Sequence, residues 1–248
     1  MTPTIADLSE RDIAKMIDHS LLRPELDDAF IEDGCRLAAQ YDVASVCCRP
    51  ADVRRAAAIL RGTDVLVGAT VGFPHGNHTT EIKVAEARRA LADGAAELDM
   101  VLAIAALKSG RDADVQADIA AVVEVGHAGG AIVKVIFENA YLTDDEKVRA
   151  CRLSEAAGAD FVKTSTGFAP GGATHDDLRL MRANVSPHIQ VKAAGGVRTL
   201  DALLAVRALG VSRIGATATK AIIDEFRARK SGLATAGASA GQPDAGAY

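Results

Sequence analysis

Eight short apolar runs alternate with longer amphipathic stretches, and this alternation is the feature that most constrains the fold. The runs are rich in valine and isoleucine and end at glycine, proline or polar residues, as buried strands do. Strands that alternate with helices form a parallel sheet. The predicted strands are Met16–His19, Ala44–Cys48, Val65–Val71, Glu97–Val101, Ile132–Phe137, Phe161–Ser165, Ile189–Ala194 and Ser212–Ala216.

Helical patterns lie between these runs, and several open with a capping residue. Thr143 precedes Glu146 by three residues, which is the spacing of a capping box, and Thr199 opens another helix. The predicted helices include Asp27–Tyr41, Thr79–Asp93, Asp112–Ala128, Thr143–Ala157, Thr199–Leu209 and Thr217–Arg229.

Length and element count favour a single-domain α/β fold, the (β/α)8 TIM barrel. The 248 residues divide into eight units, each of about 31 residues, which is enough for one strand and one helix. A doubly wound open sheet is the alternative, and it would place a glycine-rich dinucleotide turn after the first strand. No such turn follows Asp18-His19-Ser20. We therefore expect a barrel over residues 1–230 and a flexible tail, rich in glycine, alanine and serine, over residues 231–248.

Composition excludes several classes of protein. Apolar residues make up 49% of the chain but aromatic residues only 4%, which suits a parallel sheet buried on both faces. The net charge of −5, with no dominant basic patch, disfavours a nucleic-acid partner. The N-terminal segment resembles no signal peptide, and no apolar run has the length of a membrane span. We expect a cytoplasmic protein whose four cysteines are reduced.

Four ionisable residues lie inside apolar strands, and they carry the strongest functional signal. Asp99, Lys134, Lys163 and Lys192 are separated by 35, 29 and 29 residues, close to the length of one strand–helix unit. A lysine that faced the packed helices would be costly to desolvate, so we expect these side chains to point into the barrel near its C-terminal mouth. Glu97 shares the face of Asp99 and is expected to lie deeper.

Three lysines crowded with one or two carboxylates favour catalysis over a purely structural ion-pair network. Burial and neighbouring positive charge both lower the pKa of a lysine. An amine whose pKa is brought to roughly 7–8 is a competent nucleophile or base. This physical reasoning does not distinguish Lys163 from Lys192 as the nucleophile.

Glycine-containing turns follow the last three strands, at Ser165–Gly167, Ala194–Val197 and Ile214–Thr217. In many barrels the loops after the last strands bind phosphate, because glycine lets backbone amides approach the anion. Ordinary turns that require a positive φ are the alternative. Three such turns at one rim, beside the lysines, favour a phosphorylated substrate.

Five segments in this order resemble the deoxyribose-phosphate aldolase family, and the match runs from about Asp18 to Thr217. The combination of KTSTGF with a downstream KAAGG is highly specific. The matching segments are IDHSLL (Ile17–Leu22), TVGFPHG (Thr70–Gly76), ELDMV (Glu97–Val101), KTSTGF (Lys163–Phe168) and VKAAGGVRT (Val191–Thr199).

The resemblance implies reversible cleavage of 2-deoxy-D-ribose 5-phosphate to glyceraldehyde 3-phosphate and acetaldehyde, with no cofactor and no metal. It implies that Lys163 forms the Schiff base and that Asp99 and Lys192 transfer protons. Lys134 and Asp18 are implied to support the site. The positions that match the family's phosphate-binding loops or lie beside them are Gly167, Gly195, Gly196, Arg198, Gly215 and Thr217.

The chain departs from the family pattern in two places. Phe168 stands where some relatives have lysine, which removes one phosphate contact, and Ala216-Thr217-Ala218 replaces a run of serines. Some relatives end in a tyrosine that folds over the site, and this chain ends in Tyr248, which we expect to support the site unless it merely ends a mobile tail. Because relatives are often dimers, a homodimer is expected.

Three alternatives stay open at this point. One is another Schiff-base aldolase or a transaldolase-like enzyme on the same fold, and a second is a barrel that binds a sugar phosphate without catalysis. The third is a metal-dependent aldolase. His75 and His78 lie close together, but no third ligand is evident nearby, so a loop that leads into a helix is the preferred interpretation.

Overall fold

The computed structural model describes residues 5–233, and eight parallel strands in it close into a barrel. Neighbouring strands pair in sequence order, and β1 closes the barrel against β8. The (β/α)8 prediction is confirmed. The strands are β1 (Ile17–Leu21), β2 (Ser45–Cys48), β3 (Leu66–Val71), β4 (Glu97–Val101), β5 (Ile132–Ile136), β6 (Phe161–Lys163), β7 (Gln190–Ala194) and β8 (Arg213–Ala216).

All eight predicted strands are present, with ends that lie within two residues of the prediction. Two site-bearing strands end two residues from their predicted ends: β1 ends at Leu21 instead of His19, and β6 ends at Lys163 instead of Ser165. The next residue, Thr164, turns its hydroxyl to the main chain of Ala194, from whose N–H it accepts a hydrogen bond at 3.0 Å. This side-chain bridge adds to the main-chain bond from Thr164 N to Lys192 O at 3.2 Å and holds the end of β6 to β7.

Helices cover the outside of the barrel, and the six predicted helices are confirmed to within two residues at each end. Thr143 and Glu146 form the predicted capping box, and Thr199 caps its helix by accepting from Ala202 N. The helices are α1 (Glu10–Ala14), α2 (Asp28–Gln40), α3 (Val53–Ile59), α4 (Thr80–Ala92), α5 (Ile104–Lys108), α6 (Asp112–Ala128), α7 (Asp144–Ala156), α8 (His175–Ala183), α9 (Leu200–Ala208) and α10 (Thr219–Lys230).

Four of these helices, α1, α3, α5 and α8, were not among the predicted segments. They have five, seven, five and nine residues, so the shorter ones give too few turns to display a 3.6-residue period. Local caps mark the start of two of them, Ser9 before α1 and Thr174 before α8, whereas the residues before α3 and α5 make no side-chain cap.

The core lies between the strands and the helices, whereas the barrel interior is mostly polar. Outward residues of the strands, such as Val46, Leu98 and Val162, are fully buried under helices. Alternate residues point into the barrel. The interior therefore receives Asp18 from β1 and Asp99 from β4, both fully buried.

Helix α10 ends at Lys230, where the barrel was predicted to end. Most of the predicted tail, from residue 234 to Tyr248, lies outside the described residues, so the roles of the tail and of Tyr248 stay predictions. Within residues 5–233, no helix combines the length and the apolar character that crossing a bilayer requires.

Candidate active site

Strand register brings the four predicted charged residues together inside the barrel. Asp99 lies opposite Lys134 on the neighbouring strand, and Lys163 lies opposite Lys192. Lys163 pairs with Ile136, two residues beyond Lys134, so it lies on the same face one level nearer the C-terminal mouth. The prediction that these side chains share the interior is confirmed.

Asp99 is the centre of the upper layer of this cluster. Its Oδ2 accepts from the Nζ atoms of Lys163 and Lys192, each at 2.8 Å, and its Oδ1 accepts from Lys134 Nζ at 2.8 Å. All four side chains are at most 1% exposed. Burial alone would raise the pKa of Asp99, but the three ammonium groups outweigh it and hold that pKa well below its usual range.

A second layer lies deeper and joins Asp18, Glu97 and Arg213 to the lysines. Lys192 Nζ lies 2.5 Å from Asp18, and Lys134 Nζ lies 2.5 Å from Glu97, which confirms that Glu97 lies below Asp99. The Arg213 guanidinium lies 2.6 Å from an oxygen of Asp18 and of Glu97.

Arg213 is the interior residue that the sequence analysis missed. It stands at the start of a predicted strand, two residues before Gly215, and it lies opposite Lys192 in the register. The same signal that marked the lysines, a charge in an apolar strand, applied to Arg213 as well.

Phe161 closes the interior from below. Lys134 Nζ and Arg213 Cζ lie 5.9 and 6.0 Å from the centroid of its ring, at the distance of a cation–π contact. The opposite, C-terminal side of the lysines is where barrel active sites are built.

Counted over these direct contacts, the network holds one more cation than carboxylates, while a further buried carboxylate, that of Glu138, also faces Lys163. The network contains the carboxylates of Asp18, Glu97 and Asp99, together with three lysines and one arginine. An uncompensated charge at such depth is costly, so loss of one proton from an amine balances the network. This balance separates the cluster from an ordinary structural salt bridge.

The pKa values of Lys134 and Lys192 are both raised above the ordinary lysine value. Burial lowers the pKa of each, but neighbouring carboxylates outweigh it, Asp99 with Glu97 for Lys134 and Asp18 with Asp99 for Lys192, so both values are raised.

Aromatic rings and a small cavity lie at the mouth of the barrel. Phe168, which follows β6, packs edge-to-face on Phe73, which follows β3, with ring centroids 5.3 Å apart. Because β3 and β6 are not neighbours, this contact lies across the mouth, above the lysines. A cavity of about 250 Å³ beside it is lined by residues that include Ser20, Phe168 and Thr217.

Comparison with known proteins settles the family. The profile of the DeoC/LacD family aldolases matches residues 13–242. The chain belongs to this aldolase family. It is 52% identical to the deoxyribose-phosphate aldolase of Rhodopirellula baltica over 90% of this chain and 92% of that protein. The corresponding enzyme of a Geobacillus species is 51% identical over 87% of this chain and 96% of that one. The chain is therefore an enzyme, an aldolase of the carbon–carbon lyase class.

Solved structures agree with this family. The deoxyribose-phosphate aldolase of Aeropyrum pernix, described as a tetramer, superposes with a TM-score of 0.82 at 28% identity, over 89% of this chain and 93% of that one. The aldolase QR15 superposes with a TM-score of 0.85 at 36% identity, over 90% and 99% of the two chains.

The predicted phosphate-binding positions of this aldolase lie at the C-terminal ends of three neighbouring strands, β6 to β8. The loops after β6 and β7 pack closely at Gly172 and Gly195. A Cβ atom at Gly172 would lie only 2.7 Å from main-chain atoms of Gly195. Arg198 and Thr217 are exposed at this rim. The geometry brings the turns after β6 and β7 together, and the role of all three turns in binding phosphate stays a prediction. They are Gly167, Gly195, Gly196, Arg198, Gly215 and Thr217.

Other residues singled out in the sequence lie at the edge of the site or outside it. His19 bonds Thr219 Oγ1 at 2.9 Å, and burial lowers its pKa to about 4, so it is neutral near pH 7. Cys47 lies 3.9 Å from Asp99, and burial with that neighbouring charge raises the pKa of its thiol to about 11. His75 and His78 line a separate groove of about 550 Å³. Among residues 5–233, no three His, Cys, Asp or Glu side chains are grouped as a metal site requires.

Proposed function

We propose that this aldolase reversibly cleaves 2-deoxy-D-ribose 5-phosphate to D-glyceraldehyde 3-phosphate and acetaldehyde, through a Schiff base on Lys163. One observation carries the proposal: the amines of Lys163 and Lys192 share one oxygen of Asp99, in a buried network with one surplus cation. An amine held in this way is poised to be neutral, and a neutral amine is the nucleophile that Schiff-base chemistry requires.

The surplus charge supports this division of roles. Arg213 cannot lose its proton under physiological conditions. Lys134 and Lys192 keep theirs, because their pKa values are raised by adjacent carboxylates in spite of burial. Lys163 is then the amine that balances the network in its neutral form, and it lies in the layer nearest the mouth. The resemblance to the family assigns the same residue.

The reaction follows from these roles. Lys163 Nζ adds to C1 of the open-chain sugar, and the carbinolamine loses water to form an iminium. A base takes the proton of the 3-hydroxyl, whose oxygen becomes the carbonyl of the released three-carbon aldehyde, while the C2–C3 electron pair moves into the iminium to leave an enamine. Protonation at C2 and hydrolysis then release acetaldehyde and the free amine. Asp99 and Lys192 are positioned to move these protons.

Support for a phosphorylated substrate comes from the rim and from the relatives. The glycine-containing turns after β6, β7 and β8 offer backbone amides beside the mouth, and Arg198 adds a positive charge. The relatives in Rhodopirellula baltica and Geobacillus are named for deoxyribose phosphate.

Borohydride trapping with acetaldehyde, followed by peptide mass mapping, tests the proposal. We expect one reduced two-carbon adduct on Lys163 that is absent in Lys163→Ala. Lys83 is the matched control, because it is also a fully buried lysine but lies outside the barrel interior. An adduct on Lys192 alone would reverse the two roles, and no adduct on either lysine would refute Schiff-base catalysis.

A substrate panel separates the proposal from its nearest alternative. We expect deoxyribose 5-phosphate to be cleaved with a far higher kcat/KM than other sugar phosphates, whereas equal rates would favour another Schiff-base aldolase or a transaldolase-like enzyme. Addition of a chelator should leave the rate unchanged. Loss of activity after chelation would favour a metal-dependent aldolase. The homodimer and the cytoplasmic location stay predictions, and light scattering would test the first.

A further inference from the structure

Glu138 is a buried acid beside the catalytic strand, and the mechanism above does not use it. It follows β5 and is only 3% exposed. Its backbone is left-handed, with φ of 55° and ψ of 67°, a conformation that residues other than glycine rarely adopt. Such strain persists only where the surrounding contacts hold it, and it is concentrated at functional sites.

The Glu138 carboxylate binds the turn that follows β6. Its two oxygens accept from Thr166 N at 3.2 and 3.3 Å, and one of them also accepts from the Thr166 hydroxyl. The Thr166 hydroxyl oxygen in turn accepts from Phe168 N at 3.0 Å. These bonds enclose Gly167, whose φ of 89° places it in the left-handed region as well.

Lys163 is held by different bonds, which do not involve the carboxylate. Phe137 N donates to Lys163 O at 2.9 Å, and Asn139 N donates to Thr164 O at 2.9 Å. These main-chain bonds extend the β5–β6 pairing on both sides of Glu138. Loss of the carboxylate would therefore release the turn at Thr166–Phe168 and leave the lysine in place.

We propose that Glu138 is a positioning residue that shapes the Thr166–Phe168 turn for the substrate phosphate and thereby determines the preference for phosphorylated over unphosphorylated sugars. This role rests on the proposed function, since Gly167 is one of the phosphate-binding positions there. Glu138 acts through Thr166 and touches neither substrate nor the reacting atoms.

The charges around Glu138 make its hold on Thr166 dependent on pH. Burial raises the pKa of Glu138 above its usual value and outweighs the hydrogen bonds from Thr166 and the opposing influence of the two groups that face it, Lys163 on β6 and His75 after β3. A protonated Glu138 accepts less well from Thr166. As the pH falls, the hydrogen bonds between Glu138 and the turn therefore weaken at a higher pH than they would for an exposed glutamate.

The test compares kcat/KM for 2-deoxyribose 5-phosphate with kcat/KM for 2-deoxyribose, and the ratio is the phosphate preference. We expect Glu138→Ala to lower this ratio about tenfold, as the loss of a charged hydrogen bond would. The loss should lie in KM for the phosphorylated sugar. The kinetics of the unphosphorylated sugar and the borohydride adduct of acetaldehyde on Lys163 should be unchanged.

Two further variants keep the test decisive. Glu138→Gln retains the size of the side chain and one acceptor oxygen, so it should keep most of the phosphate preference. It should also remove the fall of this preference at acid pH, because glutamine does not titrate. The titration of the substrate phosphate affects the wild type and the variant alike. Thr166→Val removes the hydroxyl that joins Glu138 to Phe168. It should lower the ratio although Glu138 itself is unchanged. If Glu138→Ala fails to fold, these two variants decide.

Glu146→Gln is the matched control, because Glu146 also accepts from a backbone N–H, that of Thr143 at 2.8 Å, but does so at the start of α7. It should leave the ratio unchanged. Equal losses for both sugars in Glu138→Ala, or an unchanged ratio in Thr166→Val, would overturn the role of Glu138. A wild-type protein that gives no acetaldehyde adduct would instead refute the proposed function itself.

Discussion

Two groups of buried charges stand on opposite sides of the barrel wall, and they differ in their balance of charge. Between α4 and α6, Lys83 Nζ lies 2.5 Å from Asp118 and donates to Val101 O at 2.9 Å, while Thr80 donates to the second oxygen of Asp118 at 2.8 Å. Inside the barrel, Lys163 and Lys192 share one oxygen of Asp99. The first group pairs one lysine with one acid, whereas the second has a surplus cation.

The comparison teaches that burial alone does not make a lysine reactive. Lys83 and Lys163 are both nearly inaccessible. A buried lysine that pairs with one carboxylate and one carbonyl joins helices to the sheet. Its removal leaves a buried carboxylate without its ion-pair partner. A lysine that competes with other cations for one carboxylate can lose its proton at little electrostatic cost. The predictions below test this difference.

The largest expected effect is on catalysis. Lys192→Met should lower kcat on the order of 10³-fold, because it removes a proton donor and a partner of Asp99. Lys83→Met, measured in parallel on the folded protein, should stay within about twofold of wild type, since its contacts lie outside the barrel wall. Steady-state kinetics with deoxyribose 5-phosphate gives both values. Equal losses of kcat in the two variants would show that the two groups of buried charges do not differ in their importance for catalysis.

The next effect is on stability, and it runs the other way. Lys83→Met should lower the free energy of unfolding by about 3–5 kcal/mol, because Asp118 is left buried and unpaired. The double variant Lys83→Met/Asp118→Leu should regain most of this loss. Lys163→Met removes the amine that is neutral in the proposed mechanism and should cost at most about 1 kcal/mol. Urea unfolding measures all three. A double variant as unstable as the single one would show that packing, and not charge, stabilises this pair.

The smallest effect concerns acid. The pKa values of Asp18 and Asp99 are depressed in the folded protein, because burial is outweighed by the cations around them. Their contribution to stability is therefore complete above the ordinary aspartate pKa of about 3.9 and is lost as the pH falls below it. Asp18→Asn should reduce the slope of unfolding free energy against pH there by about 1.4 kcal/mol per unit. Denaturant titrations between pH 2 and 6 test this, and an unchanged slope would contradict the assigned ion pairs.

The fold and the principal charges could be predicted from the sequence because both depend on short-range patterns. A strand alternates its faces every two residues, so a charge within an apolar run reveals itself without any knowledge of its neighbours. Glu97, Asp99, Lys134, Lys163 and Lys192 were found in this way, and the structure brings all five together.

Contacts between distant segments could not be found in this way. Arg213 joins the network because β8 closes against β1, which brings residue 213 beside Asp18. Glu138 reaches Thr166 only because its backbone turns left-handed, which no periodicity signals. In the sequence, Lys83 is one more charged residue of a helix, and only the packing of α4 against α6 pairs it with Asp118.

The sequence by itself determined which strands carry charge and which face they use, because side-chain direction along a strand is a property of the local backbone. Only the tertiary structure decided how many cations meet how many carboxylates, because that count depends on the closure of the barrel and on contacts between strands that are far apart in the chain. Reactivity follows from the count, since a buried amine loses its proton when positive charge exceeds negative charge around it.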